Sequence, residues 1–272
     1  MLFSIITVCF NSGKTIERTL QSILSQTYQD YEYIIVDGGS TDDTLDIVKR
    51  YETLFGGRMK WKSEPDLGIF DAFNKGVRRS SATYLWIVNS DDYAESDALE
   101  KVAGMVQGRD IDNLPVISGT MRVFEEKTHK TVFYAKSDVQ TCRNKYEKNL
   151  MGIIHPATLV PRYVYEKVGL FNPEYRNIGD YEWFHRMYSM DVPIIFTDSV
   201  LTNMSNGGTS NQLTWKHFMR SYDDRKLFFA TYYKNFLSQK YRLARWCATF
   251  LRYMFNNRKR CAIQRLRATF SR

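Results

Sequence analysis

Cysteine and histidine are scarce in this chain, four of each in 272 residues, and neither type is clustered. Cys9, Cys142, Cys247 and Cys261 form no C-x-x-C pair and stand apart from the histidines. That spacing excludes a zinc finger and a disulfide framework, and it suits a reducing cytosol. No stretch approaches the ~18 consecutive apolar residues of a membrane span. The opening Met1-Leu2-Phe3-Ser4-Ile5-Ile6 lacks a basic leader and a small-residue cleavage site, so a buried strand is expected there and not a signal peptide. Internal repeats and low-complexity linkers are also missing. Gly13-Lys14-Thr15 copies only the end of a P-loop, because the glycine that motif needs at position 8 is Val8.

Apolar residues make up 43% of the chain, enough for one large α/β domain, alone or with an appendage. The net charge of +8 hides an asymmetry. Residues 1–214 carry 23 basic and 28 acidic side chains, whereas residues 215–272 carry 15 basic and 2 acidic. A mildly acidic body with a strongly basic tail points to two regions with different jobs.

The first hundred residues alternate strand and helix. Leu2–Phe10 is a continuous apolar run, as a parallel strand buried on both faces requires. Thr15–Leu24 has helical spacing, Tyr31–Val36 is a second strand, and Ser40 to Asp43 fits a capping box for a helix over Thr44–Tyr51. Arg58–Lys62 is a short strand, Phe70–Arg78 a helix and Tyr84–Val88 a strand running into Asn89-Ser90-Asp91-Asp92, with a further helix from Asp97 to Val106. Beyond Pro115, Val116–Phe124 and Thr131–Tyr134 suggest a hairpin. Pro161–Val168 and Asp180–Met190 read as helices, and Ile194–Phe196 and Val200–Met204 as strands. Repeated β-α units imply a mostly parallel, Rossmann-like sheet flanked by helices, with ligands beyond the carboxyl ends of the strands. Asn11, Asp37, Asp91 and Asp92 all fall at such ends.

Asp91-Asp92 would repel each other without a cation or a hydrogen-bond network, and hard carboxylate oxygens suit Mg²⁺ or Mn²⁺. A solvated turn or a cap for the next helix is the alternative for the same pair. Asp37 alone is an ordinary strand-end turn beside Gly38-Gly39; at the same edge as Asp91-Asp92 it becomes a ligand candidate. His155, before Pro156, could line a site or simply fill the core.

Four segments together resemble a known family. Ile5 to Asn11, Ile35-Val36-Asp37-Gly38-Gly39-Ser40-Thr41-Asp42, Asn89 to Asp92, and Ser63-Glu64-Pro65-Asp66-Leu67-Gly68-Ile69-Phe70-Asp71-Ala72-Phe73-Asn74-Lys75-Gly76 look like the inverting GT-A glycosyltransferases of family 2, in their bacterial surface-polysaccharide branch. The resemblance covers residues 1–210 and implies a GT-A catalytic domain over 1–211, with a nucleotide-binding half at 1–110 and an acceptor half at 111–211. It also implies a UDP-sugar donor and a glycan or lipid-linked saccharide acceptor. Val8, Phe10, Asn11, Asp37, Asp66 and the Asn74-Lys75-Gly76 turn would form the nucleotide pocket. Asp91 would lie near the ribose, and Asp92 would bind the metal at the diphosphate. Asp180, in Gly179-Asp180-Tyr181-Glu182, matches the family's acidic catalytic motif and would be the general base, with Glu182 in reserve and His155 on the acceptor side. Three positions depart from the family pattern: Gly179 where Glu is frequent, Phe10 where Tyr is usual and Phe73 where Arg is frequent.

Residues 212–272 are basic, aromatic and helical in pattern, from Trp215 and Phe218 through Trp246 and Phe250 to Phe255, with arginines such as Arg242, Arg252, Arg258 and Arg267. Such a segment suits the surface of an anionic bilayer and a peripheral enzyme on the inner face of the cell membrane. Helices that pack on the catalytic domain, or that pair two copies into a homo-oligomer, are the alternative. No nucleic-acid-binding motif is present. Two rivals to the transferase stand. A sugar nucleotidyltransferase wants a Gly-rich basic phosphate loop that Asn11-Ser12-Gly13-Lys14 scarcely supplies. A non-enzymatic adaptor acting through the tail leaves the order Asp37, Asp91-Asp92, Asp180 without explanation.

Overall fold

The apolar run at the start of the chain forms a strand, β1 (Phe3–Cys9), buried along its whole length. A computed structural model describes residues 1–206, 215–235 and 237–248, which fall into two units by their contacts. The first comprises Met1–Tyr175 and Gly179–Asn211, the second Arg176–Ile178 and Gln212–Arg272.

In the first unit β1 leads through α1 (Ile16–Leu24) to β2 (Tyr31–Asp37), then α2 (Thr44–Glu52), β3 (Met59–Ser63), α3 (Ile69–Arg79) and β4 (Tyr84–Ile87). These four strands lie parallel in the order β3-β2-β1-β4, so their carboxyl ends share one edge. β1, β2 and β4 are buried throughout, as strands sandwiched between helices must be. β3 ends the row and alternates buried Met59 with more exposed neighbours. Trp86, fully buried on β4, donates its indole N–H to the Pro156 carbonyl (2.9 Å) and ties the strand to the chain before β8.

The second half of the sheet is mixed. β5 (Tyr93–Ala94), α4 (Ala98–Val106), β6 (Val116–Phe124), β7 (Thr131–Ala135), α5 (Val139–Glu147), β8 (Thr158–Pro161), α6 (Arg162–Val168), α7 (Gly179–Ser189) and β9 (Ile194–Ser205) follow in the chain. The sheet continues β4-β8-β6-β9-β5, with β7 on β6. β8 runs antiparallel to β4, Trp86 facing Leu159, so the chain at His155–Thr158 sits beside the carboxyl end of β4.

Several expectations are corrected here. The two C-terminal strands are one long strand, β9, whose register with β6 slips around Gly119. A Cβ at Gly119 would lie 2.5 Å from Leu201, so glycine is required at that irregularity. The capping box does not form: Asp43 makes no side-chain cap, and Asp42 instead accepts from the Thr44 amide (3.1 Å). β5, α5 and β8 have no counterpart in the sequence reading.

The second unit contains α8 (Trp215–Tyr232), a helical segment at 237–248 and the tripeptide Arg176–Ile178. Phe218 stacks on Trp246 at 5.9 Å, Phe228 meets Tyr232 at 4.8 Å, and Arg242 lies over the Tyr233 ring. The basic and aromatic positions from Phe250 onward lie outside the described residues.

Candidate active site

The edge where β1 and β2 end is built from turns that hydrogen-bond one another. Asn11 follows β1 with φ 50°, a left-handed conformation that asparagine tolerates. Its Oδ1 accepts from the Thr41 amide (2.9 Å), and its own amide donates to Ser40 Oγ (2.8 Å). Asp37, fully buried at the end of β2, accepts from the amides of Gly39 and Ser40 and from the hydroxyls of Ser40 and Ser63. Burial pushes its pKa up, but those hydrogen bonds outweigh burial and hold the carboxyl below its usual value. Asp37 therefore shapes the Gly38–Ser40 turn, and no oxygen of it is exposed for a ligand. Asp66 lies across that turn: a Cβ on Gly38 would sit 2.5 Å from Asp66 Oδ2 and 3.4 Å from the Phe10 ring. Phe10, 61% exposed, thus shares an open surface with Gly38 and Asp66.

The acidic turn after β4 is held from behind by α1. Thr19 Oγ1 donates to the Asp92 carbonyl (2.6 Å), and Arg18 Nη2 to the Asp91 carbonyl (2.9 Å). Ser12 Oγ and Ser90 Oγ lie 2.8 Å apart and bridge the ends of β1 and β4. Asp91 is half-buried, whereas Asp92 is 1% exposed. Burial, reinforced by the charge of Asp91, raises the pKa of Asp92 well above the carboxylate range; burial also raises that of Asp91. Asn89 Oδ1 and Asp92 Oδ1 are buried acceptors without a donor among the described residues. Orphaned acceptor oxygens beside a second carboxylate suit a hard divalent cation. Among the described residues no group of three or more His, Cys, Asp or Glu forms a metal cage, so water and a ligand's phosphates would complete such a coordination sphere.

Asp180 opens α7. Its Oδ1 accepts from the Tyr181 amide (2.8 Å), and its Oδ2 lies 3.8 Å from His155 Nδ1. His155 is 8% exposed, and its Nε2 has no hydrogen-bond partner among the described residues. Burial lowers the His155 pKa against the attraction of Asp180, so the ring is neutral at pH 7. Two of the departures from the family pattern meet here. Phe73, where Arg is frequent, packs edge-on against His155 (5.4 Å between centroids). Gly179 faces Phe70, whose ring a Cβ would approach to 2.6 Å. The aromatic start of α3 therefore requires glycine before Asp180 and supports the histidine beside it.

Other expected residues have different work. Asn74 lies inside α3, not in a turn, and both ends of its amide bond the Phe171 backbone (2.8 and 2.9 Å). Gly76 is also helical, with no room for a side chain against Ile6. Lys75 donates to the Pro65 carbonyl (2.7 Å) and pairs with Asp71 (3.1 Å), so it braces the turn that carries Asp66. Val8 is buried in β1 and can offer a ligand nothing from its side chain. Glu182 is 3% exposed and pairs with Arg186 through two contacts (2.7 and 3.1 Å), which removes it as a reserve base. Sequence reasoning missed Ser12, Arg18, Thr19 and Ser90. Thr19 had left a signal: it is a polar residue on the buried face of α1, beside Ile16, Leu20 and Ile23.

Residues 4–169 match the family model "Glycosyl transferase family 2", a span that stops short of Asp180. The chain is 30% identical over 222 residues to a PGL/p-HBAD biosynthesis glycosyltransferase of Mycobacterium bovis, covering 80% of this chain and 83% of that one. Among solved structures it is similar to S. aureus TarS 1–349 in complex with UDP-GlcNAc (TM-score 0.66, 19% identity, 89% of this chain and 69% of that one). It is also similar to the mannosyltransferase PcManGT of Pyrobaculum calidifontis in complex with GDP-Man and Mn²⁺ (TM-score 0.61, 17% identity, 86% and 64%). The fold is that of the GT-A enzymes.

Proposed function

The chain belongs to glycosyl transferase family 2, and from that membership we propose that it moves a sugar from a UDP-sugar to a hydroxyl of a glycan or lipid-linked saccharide, with inversion and with Asp180 as general base. The observation that carries the proposal is the convergence on one sheet edge of an open Phe10-Gly38-Asp66 surface and the Asn89–Asp92 turn with its orphaned oxygens. Asp180 joins it through the contact of Gly179 with Phe70 on α3.

Phe10 and Asp66 receive the nucleoside on the turn that Asp37 and Asn11 shape. Asp91 and Asp92 would hold Mn²⁺ or Mg²⁺, and such a cation would supply charge stabilisation for the departing diphosphate. Asp180 Oδ2, which accepts no hydrogen bond among the described residues, takes the proton of the acceptor hydroxyl as that oxygen attacks the anomeric carbon. A single displacement from the face opposite the leaving group inverts the anomeric centre. His155, neutral beside Asp180, leaves the base without a permanent counter-ion and lines the acceptor side. A lipid-linked acceptor would suit contact of residues 212–272 with the inner face of the cell membrane; among the described residues no helix is long and apolar enough to cross it.

Calorimetric titration of UDP and other nucleoside diphosphates, with and without Mn²⁺, into wild type and Asp92→Ala tests the donor site. Cation-dependent UDP binding that the variant loses supports the assignment. Absence of binding by any nucleotide would falsify it.

A further inference from the structure

The acidic balance of the body hides a basic stretch. Residues 127–148, from the turn of the β6–β7 hairpin to the end of α5, carry six basic side chains (Lys127, Lys130, Lys136, Arg143, Lys145, Lys148) and two acidic ones (Asp138, Glu147). The other residues up to Thr214 carry 17 basic and 26 acidic. The same stretch exposes apolar side chains. On β7, Val132, Phe133 and Tyr134 are 50%, 51% and 55% exposed, and Val139 at the start of α5 is 63% exposed. Alternation along a strand puts Val132 and Tyr134 on one face and Phe133 on the other. β7 therefore offers apolar surface on both faces, although Val123 and Phe124, its partners on β6, are fully buried. Two acids near the patch are already paired, Glu126 with Arg18 (2.8 Å) and Asp198 with Lys136 (2.9 Å). Asp138 caps α5 by accepting from the Thr141 amide (2.7 Å).

Among the described residues β7 pairs with no strand but β6, so its outer edge is open. A strand added to that edge would satisfy the backbone and leave both apolar faces in water. Antiparallel pairing of β7 with a second copy, centred on Phe133, would also set Lys130 of each chain against Lys136 of the other, a repulsive arrangement. A rigid partner packed on one face would leave the opposite face bare. A fluid surface of negative charge meets every feature: it reaches both faces and complements the lysines. We propose that β7 and the start of α5 dock on an anionic lipid surface. The apolar side chains enter the head-group layer and the lysines meet the lipid phosphates. Head-group depth keeps the open edge of β7 hydrated, which the hydrocarbon core would not. The surface lies wholly within the first unit and depends neither on residues 212–272 nor on the donor site.

The test uses the full chain with vesicles of phosphatidylcholine alone and of an equal mixture of phosphatidylcholine and phosphatidylglycerol. Cosedimentation gives the affinity, and amide hydrogen exchange locates the contact. The mixed vesicles should bind the protein and slow exchange across 131–139, and the neutral vesicles should do neither. Phe133→Ser combined with Tyr134→Ser should weaken binding about tenfold, the scale of losing two half-buried aromatic contacts. Lys127→Gln and Lys130→Gln should each weaken it about fivefold. Melting temperature and UDP affinity should match wild type in all of these variants, because the altered side chains are exposed. Vesicle binding without slower exchange over 131–139 would put the contact elsewhere, in the basic tail first, and would overturn the proposal. Affinity left unchanged by the paired serine substitutions would overturn it too. Slower exchange that appears without lipid as protein concentration rises, together with a doubled mass in light scattering, would make a second copy the occupant. Should the serine variant fail to fold, the exchange measured on wild type still decides.

Discussion

His155 Nδ1 lies 3.8 Å from Asp180 Oδ2, a buried neutral imidazole set against a carboxylate that opens a helix. The distance is too long for a hydrogen bond, and among the described residues the other ring nitrogen has no hydrogen-bond partner. Because burial lowers its pKa, the folded protein binds a proton on His155 less readily than the unfolded chain, whose histidine titrates near 6.5. Its contribution to stability is therefore complete above pH 6.5 and is lost as pH falls below it. Melting temperatures measured from pH 5 to 8 should drop on the acid side, and His155→Gln should flatten that limb. An unchanged acid limb in the variant would show that other groups carry it.

Asp180→Asn removes the proton acceptor but keeps shape and the bond from Tyr181. General-base catalysis is worth about 10²–10⁴-fold, so kcat should fall by that factor while UDP affinity holds. Turnover within about threefold of wild type would assign the base elsewhere.

Much of this arrangement was legible before the structure, and the limits have physical causes. Continuous apolar runs identified β1, β2 and β4, because strands buried on both faces have no polar alternation to disguise them. β8 was hidden: it is four residues long, it ends at Pro161 where the expected helix begins, and its pairing partners are β4 and β6, far away in sequence. The family resemblance made Asn74-Lys75-Gly76 a turn, although helical spacing already placed it within Phe70–Arg78, and its glycine serves close packing on Ile6. Glu182 and Asp180 differ by two positions in one acidic motif, and only burial against Arg186 separates a structural carboxylate from an available one.

The cost of Asp92 is open to measurement. A carboxylate 1% exposed with one unpartnered oxygen destabilises the cation-free protein, and burial is the chief cause. Asp92→Asn removes the charge at nearly constant volume. Without cation the variant should melt at or above the wild-type temperature. Mn²⁺ with UDP should raise the melting temperature of wild type and leave the variant unchanged. Equal stabilisation of both proteins would remove Asp92 from the cation site.

Glu182 and Arg186 form a pair whose loss should be felt in folding and not in chemistry. Arg186 also donates to the carbonyls of Val168 and Leu170, so it locks α7 to the end of α6. Breaking a buried pair from one side costs roughly 3–5 kcal/mol. Glu182→Ala should lower the urea midpoint accordingly, with kcat per folded molecule retained. A kcat loss without a stability loss would return Glu182 to the list of bases.

Gly179 and Phe70 should behave as one unit. An alanine methyl at 179 would lie 2.6 Å from the Phe70 ring, and that ring cannot retreat because Phe73 (5.7 Å) and Phe171 (6.0 Å) flank it. Overpacking of this kind costs about 1–3 kcal/mol and moves whichever element yields first. α7 would be displaced at its first residue, next to Asp180, so Gly179→Ala should lower kcat more than UDP affinity. Shortening the obstacle with Phe70→Leu should restore stability and turnover in the double variant, even though Phe70→Leu alone leaves a cavity and destabilises. In a double-mutant cycle the two changes should therefore couple favourably by more than about 1 kcal/mol. Additive effects would mean that α7 accommodates the methyl by moving elsewhere, and that Phe70 does not set the position of the base.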